Sequence, residues 1–203
     1  MLNLSGWCCL VVGGGGVAAR RAGTLAQAGA AVTMVAPVMS ADATALSSEA
    51  VKREERAFAD GDLAGVRLVV VATDDAAVNA RVADRAAAAG VLVNRADRGD
   101  GGDLTLMAAR RVGPLTVAVD SGGASPAAAR TLVETARDAV GPEWPVLLEE
   151  AAARRAALRG RPDALRRLTD AAALDILQRC GRAALAGHLD TLVAESVARS
   201  PAG

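Results

Sequence analysis

Four short segments place residues capable of chemistry where one type of element gives way to another. The first is Gly13-Gly14-Gly15-Gly16-Val17-Ala18, lying between an apolar run and a helix-forming stretch. Gly13, Gly15 and Ala18 fit a GxGxxA pattern. Gly13 would permit a tight turn, Gly15 would let the backbone approach a pyrophosphate, and Ala18 would allow close packing of helix on sheet. The helix N-terminus then offers N–H groups to the anion. Plain turn glycines are the alternative, but the strand–turn–helix setting favours dinucleotide binding. The acid expected about 20 residues further on, to hold a ribose, is absent. The second apolar run instead ends Val35-Ala36-Pro37. Either a ribose at Ala36 and Pro37 is held by backbone groups or the cofactor is absent, and no Arg follows there to hold a 2′-phosphate.

The second segment, Ala72-Thr73-Asp74-Asp75, follows the run LVVVA. Ligands of open parallel sheets bind beyond the C-terminal ends of the strands, so Thr73 could face the nicotinamide end of a dinucleotide. One of Asp74 and Asp75 is expected to cap the next helix. The third, Val93-Asn94-Arg95-Ala96-Asp97, also closes a strand and points Asp97 into the same crevice. Taken alone, an Asp in such a place is more often a turn or cap residue than a catalyst. Arg95 and Arg98 flank it and would favour its ionised form if they turn inward. The fourth is Ser121-Gly122-Gly123-Ala124-Ser125-Pro126. Ser125 is a natural N-cap and Pro126 a natural first helical residue. Consecutive glycines before a helix also make an anion cradle, so Ser121, Gly122 and Gly123 could hold a carboxylate, with positive charge near at hand on Arg110, Arg111 and Arg130.

The elements that must position these residues alternate in type. Strands are expected over Cys8–Val12, Ala31–Ala36, Leu68–Ala72 and Val91–Asn94, with an edge strand over Val51–Ala57. Helices are expected over Val17–Ala28, Asp42–Ser48 and Ala76–Ala89, the first and last stopped by Gly29 and Gly90. Such alternation means βαβ units and a parallel sheet. Two further runs, Asp103–Ala108 and Leu115–Asp120, are joined too closely for a parallel crossover and are read as an antiparallel pair. Helices follow over Pro126–Val140, Trp144–Leu158, Pro162–Arg179 and Ala183–Ala198, punctuated by Gly141-Pro142, Gly160 and Gly181. The fold class is therefore α/β: an N-terminal Rossmann-type parallel sheet, a small antiparallel pair and a helical C-terminal region. The domains are read as 1–98, 99–142 and 143–203.

Composition narrows the function classes. The chain has 203 residues, 52% of them hydrophobic, with 23 Lys+Arg against 23 Asp+Glu. That balance argues against a nucleic-acid partner, so an anionic ligand must be held by local arginines. Trp7, Trp144 and Phe58 are the full aromatic set, which removes base-stacking platforms. No apolar run reaches the roughly 18–20 residues of a membrane span, and no secretory leader is visible. Cys8, Cys9 and Cys180 form no metal or disulfide pattern, so a reducing cytoplasm is the expected home and no metal site is expected. Cys8 and Cys9 are read as core. His188, the lone histidine, and the arginines at 154–155 and 166–167 are read as surface groups.

Taken in order, VVGGGGVAARRA (Val11–Ala22), AGAAVTMVAP (Ala28–Pro37), VVVATDDAAVN (Val69–Asn79), VLVNRAD (Val91–Asp97) and GPLTVAVDSGGASPAAAR (Gly113–Arg130) resemble the precorrin-2 dehydrogenase/sirohydrochlorin ferrochelatase family of siroheme biosynthesis. The resemblance covers about residues 3 to 150. It implies NAD⁺-dependent oxidation of precorrin-2 to sirohydrochlorin, followed in some members by insertion of Fe²⁺ as a substrate. It also implies a homodimer with an N-terminal NAD-binding domain (1–98), a dimerisation and active-site region (99–142) and a small helical domain (143–203). On this resemblance Asp97 and Ser121 are catalytic. Gly13, Gly14, Gly15, Gly16, Val17, Ala18, Ala36, Pro37, Thr73 and Asp74 hold NAD. Arg20, Arg110, Gly122, Gly123 and Ser125 meet the carboxylate-rich substrate. The sequence departs from the family after Asp97, where Arg98-Gly99-Asp100-Gly101-Gly102 replaces the usual proline and polar residue. Two other readings compete: a non-catalytic dinucleotide-sensing module with a partner-binding helical tail, and an oxidoreductase acting on a different acidic substrate.

Overall fold

A computed structural model describes residues 2–97 and 102–198. Arg98, Gly99, Asp100 and Gly101 lie outside the described residues. The chain divides into two compact units: residues up to Leu106 with Gly122–Ala124, and Met107–Ser121 with the residues from Ser125 onward.

The first unit is built on a five-stranded parallel sheet: β1 (Cys8–Val12), β2 (Ala31–Ala36), β3 (Val51–Glu55), β4 (Leu68–Val71) and β5 (Leu92–Arg95), in the spatial order β3-β2-β1-β4-β5. Helix α1 (Gly16–Gln27), the short α2 (Ala41–Thr44) and α3 (Ala76–Ala88) connect them, and a 3₁₀ turn at Asp60–Leu63 precedes β4. Alternate residues of the strands feed two cores. Cys9, Val11, Val32, Met34, Leu68 and Val70 pack with Ala18, Ala22 and Leu25 of α1. Leu10, Val12, Val35, Val69 and Val71 pack with Val82 and Ala86 of α3. A sheet covered on both faces needs continuous apolar strands, which is why LVVV carries no polar alternation. Both helices stop at glycines in the left-handed region: Gly29 at φ 84 and Gly90 at φ 68. The amides that follow, of Ala30 and Val91, donate back to Leu25 and Ala86 at 3.1 and 2.9 Å.

The expected edge strand is observed, as β3. The second helix is shorter than expected because only Ser40, whose hydroxyl accepts from the Ala43 amide, nucleates it. Cys9 is buried as expected, and burial pushes its thiol up to about 11. Cys8, the first residue of β1, is exposed, which corrects its placement in the core.

The second unit begins with the hairpin β6 (Ala108–Val112) and β7 (Leu115–Val119). The pair is antiparallel as expected, with Val112 opposite Leu115. The first strand, however, begins five residues later than expected, at Ala108 rather than Asp103. Gly113 at φ 57 makes a two-residue turn with Pro114, so Arg110 and Arg111 are strand rather than connection. Residues 104–107 belong to neither strand nor helix, after a bend at 102–103. Helix α4 (Pro126–Asp138) packs Ala129 and Val133 inward and lies against the hairpin. Then come α5 (Glu143–Arg154), a 3₁₀ turn at Arg155–Leu158, α6 (Pro162–Arg167) and α7 (Ala171–Ala198). Leu147, Leu158, Leu185 and Leu189 form their fully buried core. The helix expected over Pro162–Arg179 is interrupted before Ala171, because the Asp170 carboxylate captures the Ala173 amide at 2.9 Å and starts a new helix. The break expected at Gly181 is present, with φ 84 and ψ 177 inside α7. Two surface readings are corrected. His188 is half-buried. Arg154 bridges α5 to α7, reaching Glu150, Asp190 and the Ala186 carbonyl.

Candidate active site

The C-terminal edge of the sheet carries three of the four segments. Val12, Val71 and Arg95 stand in register at the ends of neighbouring strands β1, β4 and β5. The loops that follow are tied to the ladder by their first residues. Gly13 donates to the Val35 carbonyl at 3.0 Å, Ala72 to Val12 at 2.9 Å, and Ala96 to Val71 at 2.9 Å. With strands about 4.8 Å apart, the Asp97 loop starts about 10 Å from the glycine turn. This is also the crossing from β1 to β4, where the strand order reverses and open α/β sheets bind ligands.

The glycine turn is shaped by close backbone approach. Gly13 has φ 135, and a Cβ there would lie 2.2 Å from the Ala72 carbonyl oxygen. A Cβ on Gly14 would lie 2.0 Å from the Val38 oxygen. A Cβ on Gly15 would meet nothing within 4 Å, so the open space lies on that side of the turn. Gly15 is the N-cap of α1, with no side-chain cap and no acid in the first turn. The helix therefore presents uncapped amides beside that space, which suits the pyrophosphate of a dinucleotide. Ala18 is fully buried and lets α1 approach the sheet, Val17 is 43% exposed, and Arg20 points outward from the next turn. Ala36 is buried at the end of β2 and Pro37 is exposed beyond it. Neither provides an acid for a ribose. The residues fit a dinucleotide held through its phosphates.

Thr73, Asn79, Arg95 and Asp97 form one polar cluster on the same edge. Asn79 is 1% exposed on α3 and uses its whole amide. Its Oδ1 accepts from the Thr73 amide at 3.2 Å and from the Thr73 hydroxyl at 2.6 Å. Its Nδ2 donates to the Thr73 carbonyl at 2.8 Å. Sequence reasoning did not select Asn79. The signal available was an Asn at an inward-facing helix position, because a buried amide must be satisfied. Asp75, rather than Asp74, caps α3 by accepting from Ala77 and Val78 at 2.8 and 3.1 Å, leaving Asp74 exposed.

Asp97 is held by Arg95 through two parallel bonds, Nε to Oδ1 at 2.8 Å and the terminal nitrogen to Oδ2 at 2.6 Å. Side-chain exposures of 9% for Arg95 and 18% for Asp97 keep this fork largely from water. The Arg95 bonds hold the Asp97 carboxyl below the usual carboxylate range, against a smaller opposing effect of burial. Residues 103 and 104 brace β5. Asp103 accepts from the Val93 amide at 2.9 Å, and buried Asn94 donates to the Leu104 carbonyl at 2.8 Å.

In the second unit, Ser125 caps α4 by accepting from the Ala128 amide at 3.1 Å, with Pro126 as the first helical residue. The Ser121 hydroxyl accepts from the Ser125 amide at 3.2 Å. Gly122 and Gly123, counted with the first unit, both have positive φ, 59 and 80. Arg110 is ion-paired with Glu134, which also holds Arg137. Among the described residues no three His, Cys, Asp or Glu side chains gather as metal ligands would.

The chain is similar to known proteins. Residues 1–108 match a family model described as "Putative NAD(P)-binding". The chain is 41% identical over 132 residues to the siroheme synthase of Nitrosococcus oceani and 44% identical over 132 residues to that of Methylococcus capsulatus. In each case the match takes in 64% of this chain and 28% of the relative, so the chain spans little more than a quarter of these curated relatives. Among solved structures, the precorrin-2 dehydrogenase SirC superposes with a TM-score of 0.73 at 27% identity, over 94% of this chain and 98% of that one. With the matched model covering the whole parallel sheet and a turn shaped for a pyrophosphate, the chain belongs to the NAD(P)-binding family.

Proposed function

We propose that this protein is an NAD⁺-dependent dehydrogenase that oxidises precorrin-2 to sirohydrochlorin in siroheme biosynthesis. The observation that carries this reading is the Asp97 carboxylate, gripped by Arg95 just beyond β5, on the same sheet edge as the glycine turn. The similarity to SirC and to siroheme synthases supplies the substrate class. Gly13, Gly14, Gly15, Gly16, Val17 and Ala18 hold the pyrophosphate, with Ala36, Pro37, Thr73 and Asp74 along the rest of the dinucleotide. NAD⁺ bound there supplies the hydride acceptor. Oxidation of the ring also releases a proton, and Asp97, an ionised acceptor, is the base that receives it. Thr73 is fixed by Asn79 and shapes the crevice wall. Arg20 and Arg110 engage substrate carboxylates by charge-assisted bonds, Arg110 exchanging Glu134 for the substrate. Ser121, Gly122, Gly123 and Ser125 are further substrate-binding candidates, with Ser121 also assigned a catalytic role by the family resemblance.

The regions 1–98, 99–142 and 143–203 serve as NAD-binding domain, dimerisation and active-site region, and helical domain. The hairpin supports a homodimer. A two-stranded ribbon is marginal by itself, and Ala109, Arg111, Thr116 and Ala118 are exposed beyond the cover that α4 gives. A cytoplasmic enzyme fits the thiols and the substrate class, and no helix among the described residues is long and apolar enough to cross a membrane. Fe²⁺ enters as the substrate of a second, chelating step, with Asp97 receiving pyrrole protons.

The test is purified protein with precorrin-2 and NAD⁺, followed by NADH absorbance. Turnover lost in Asp97→Ala, with NAD⁺ binding retained, is expected. Tight NAD⁺ binding without NADH would overturn the proposal in favour of a sensing module. Fe²⁺ added to sirohydrochlorin should accelerate the spectral change of metallation, and an unaltered uncatalysed rate refutes the second step.

A further inference from the structure

Asp97 does not stand alone at the sheet edge, and its neighbour is the most constrained charged group there. The Arg95 fork meets both carboxylate oxygens at 2.8 and 2.6 Å and is itself 9% exposed. We propose that Arg95 is a positioning residue for the dehydrogenation: its guanidinium fixes both Asp97 oxygens and sets the pH range over which that carboxylate can receive a proton. This rests on Asp97 being the base of the reaction proposed above.

The fork gives direction as well as charge. A planar guanidinium bonded to both oxygens fixes the plane of the carboxylate. The remaining lone pairs of Asp97 are thereby aimed without freedom of rotation. Several other charged groups of the surrounding elements are engaged elsewhere, while Asp74 of the loop before α3 and Arg20 of α1 are exposed. On α3, Arg81 and Arg85 pair with Asp60. Asp75 caps that helix, and Asp103 accepts from the Val93 amide. Strand β4 contributes only Leu68, Val69, Val70 and Val71, and Arg21 of α1 donates to the Leu106 carbonyl at 3.5 Å. Among the described residues, Arg95 is the cation within salt-bridge distance of Asp97.

The sign follows from charge. Arg95 favours the ionised form, so Asp97 remains a base well into acid and loses that role only when pH falls through its lowered value. Removing the cation moves the loss upward, since an opposite charge at this range displaces a carboxyl by about 1–3 pH units.

The experiment compares wild type, Arg95→Met and Arg95→Lys. The readouts are the pH profile of kcat/KM with precorrin-2 and NAD⁺, and carbon NMR titration of the Asp97 carboxyl in each protein without substrate. Substrate carboxylates titrate alike for all three, so differences between profiles report the enzyme. Arg95→Met should move the acid limb up by about 1–3 pH units. Arg95→Lys should keep the limb near wild type while lowering kcat, because it restores charge without the fork. Coincident acid limbs in wild type and Arg95→Met would overturn the proposal. So would a wild-type carboxyl that titrates at an ordinary value near ~3.9. The NMR titration of wild type and Arg95→Lys decides the matter even where Arg95→Met fails to fold. Absence of NADH formation by wild type at every pH refutes the dehydrogenase reading instead, and the NMR arm still tests the clamp.

Discussion

Gly13→Ala and Gly15→Ala change neighbouring glycines of one turn, and the structure assigns them opposite consequences. At Gly13 the added methyl carbon would lie 2.2 Å from the Ala72 oxygen and 2.7 Å from the Ala72 carbonyl carbon, at φ 135. A non-glycine residue held in so rare a conformation costs about 1–3 kcal/mol. Forcing strand ends apart in a packed core costs about 1–3 kcal/mol more. Together these give roughly 4 kcal/mol, and for a unit of about 100 residues that lowers Tm by about 15–30 °C. At Gly15 the methyl meets open space and φ is −78, so stability should change by less than about 1 kcal/mol. That methyl instead occupies the approach to the α1 amides. Loss of one or two charge-assisted bonds there weakens NAD⁺ binding about 10- to 100-fold. Thermal and urea unfolding measure the first effect, and calorimetric titration with NAD⁺ the second. Equal destabilisation by the two variants, or unaltered NAD⁺ affinity in Gly15→Ala, would refute the account of the turn.

Three further outcomes are expected. Asn79→Ala strands the Thr73 amide and carbonyl and should cost about 1–3 kcal/mol in urea unfolding; a change below about 0.5 kcal/mol contradicts the described bonds. Leu189→Ala removes a fully buried side chain from the helical unit and should cost about 2–5 kcal/mol, read from the same unfolding curves. Arg154→Ala should destabilise by about 1–2 kcal/mol at neutral pH, because it removes the bridge from α5 to α7. Its effect should shrink in acid. Arg154 and Arg182 hold the Glu150 carboxyl below its ordinary value, so the stability it contributes is present above the unfolded value and lost as pH falls through the folded one. A pH-independent difference between the two proteins counts against that coupling.

The parallel sheet was readable because both-face burial leaves a plain mark, short uninterrupted apolar runs such as LVVV ended by turn residues. Capping by Ser125 and the break at Gly181 were readable for the same local reason: one residue type meets one backbone requirement. The hairpin register was not, since Asp103–Ala108 and Ala108–Val112 are both plausible strands. The turn at Gly113-Pro114, together with the pairing of Val112 with Leu115, decided between them. Arg154 looked like a solvated arginine because its partner Asp190 lies 36 positions away. At the candidate site, the glycines and Asp97 were legible from strand ends, and their common edge follows from the strand order. Asn79 was hidden inside an Ala-rich helix. Its role depends on facing Thr73, which helical period alone does not reveal.

Each crevice loop leaves the sheet through an amide already committed to the neighbouring strand: Gly13 to Val35, Ala72 to Val12, Ala96 to Val71. The exit direction of every loop is therefore inherited from the scaffold and is independent of the side chains that come after. Exposed positions beyond these anchors, such as Asp74, can be rewritten at little expense in stability, whereas the anchors cannot be shifted without breaking the ladder. A library aimed at a new dinucleotide preference for this protein would do best to vary those outer positions and keep the three anchored amides fixed.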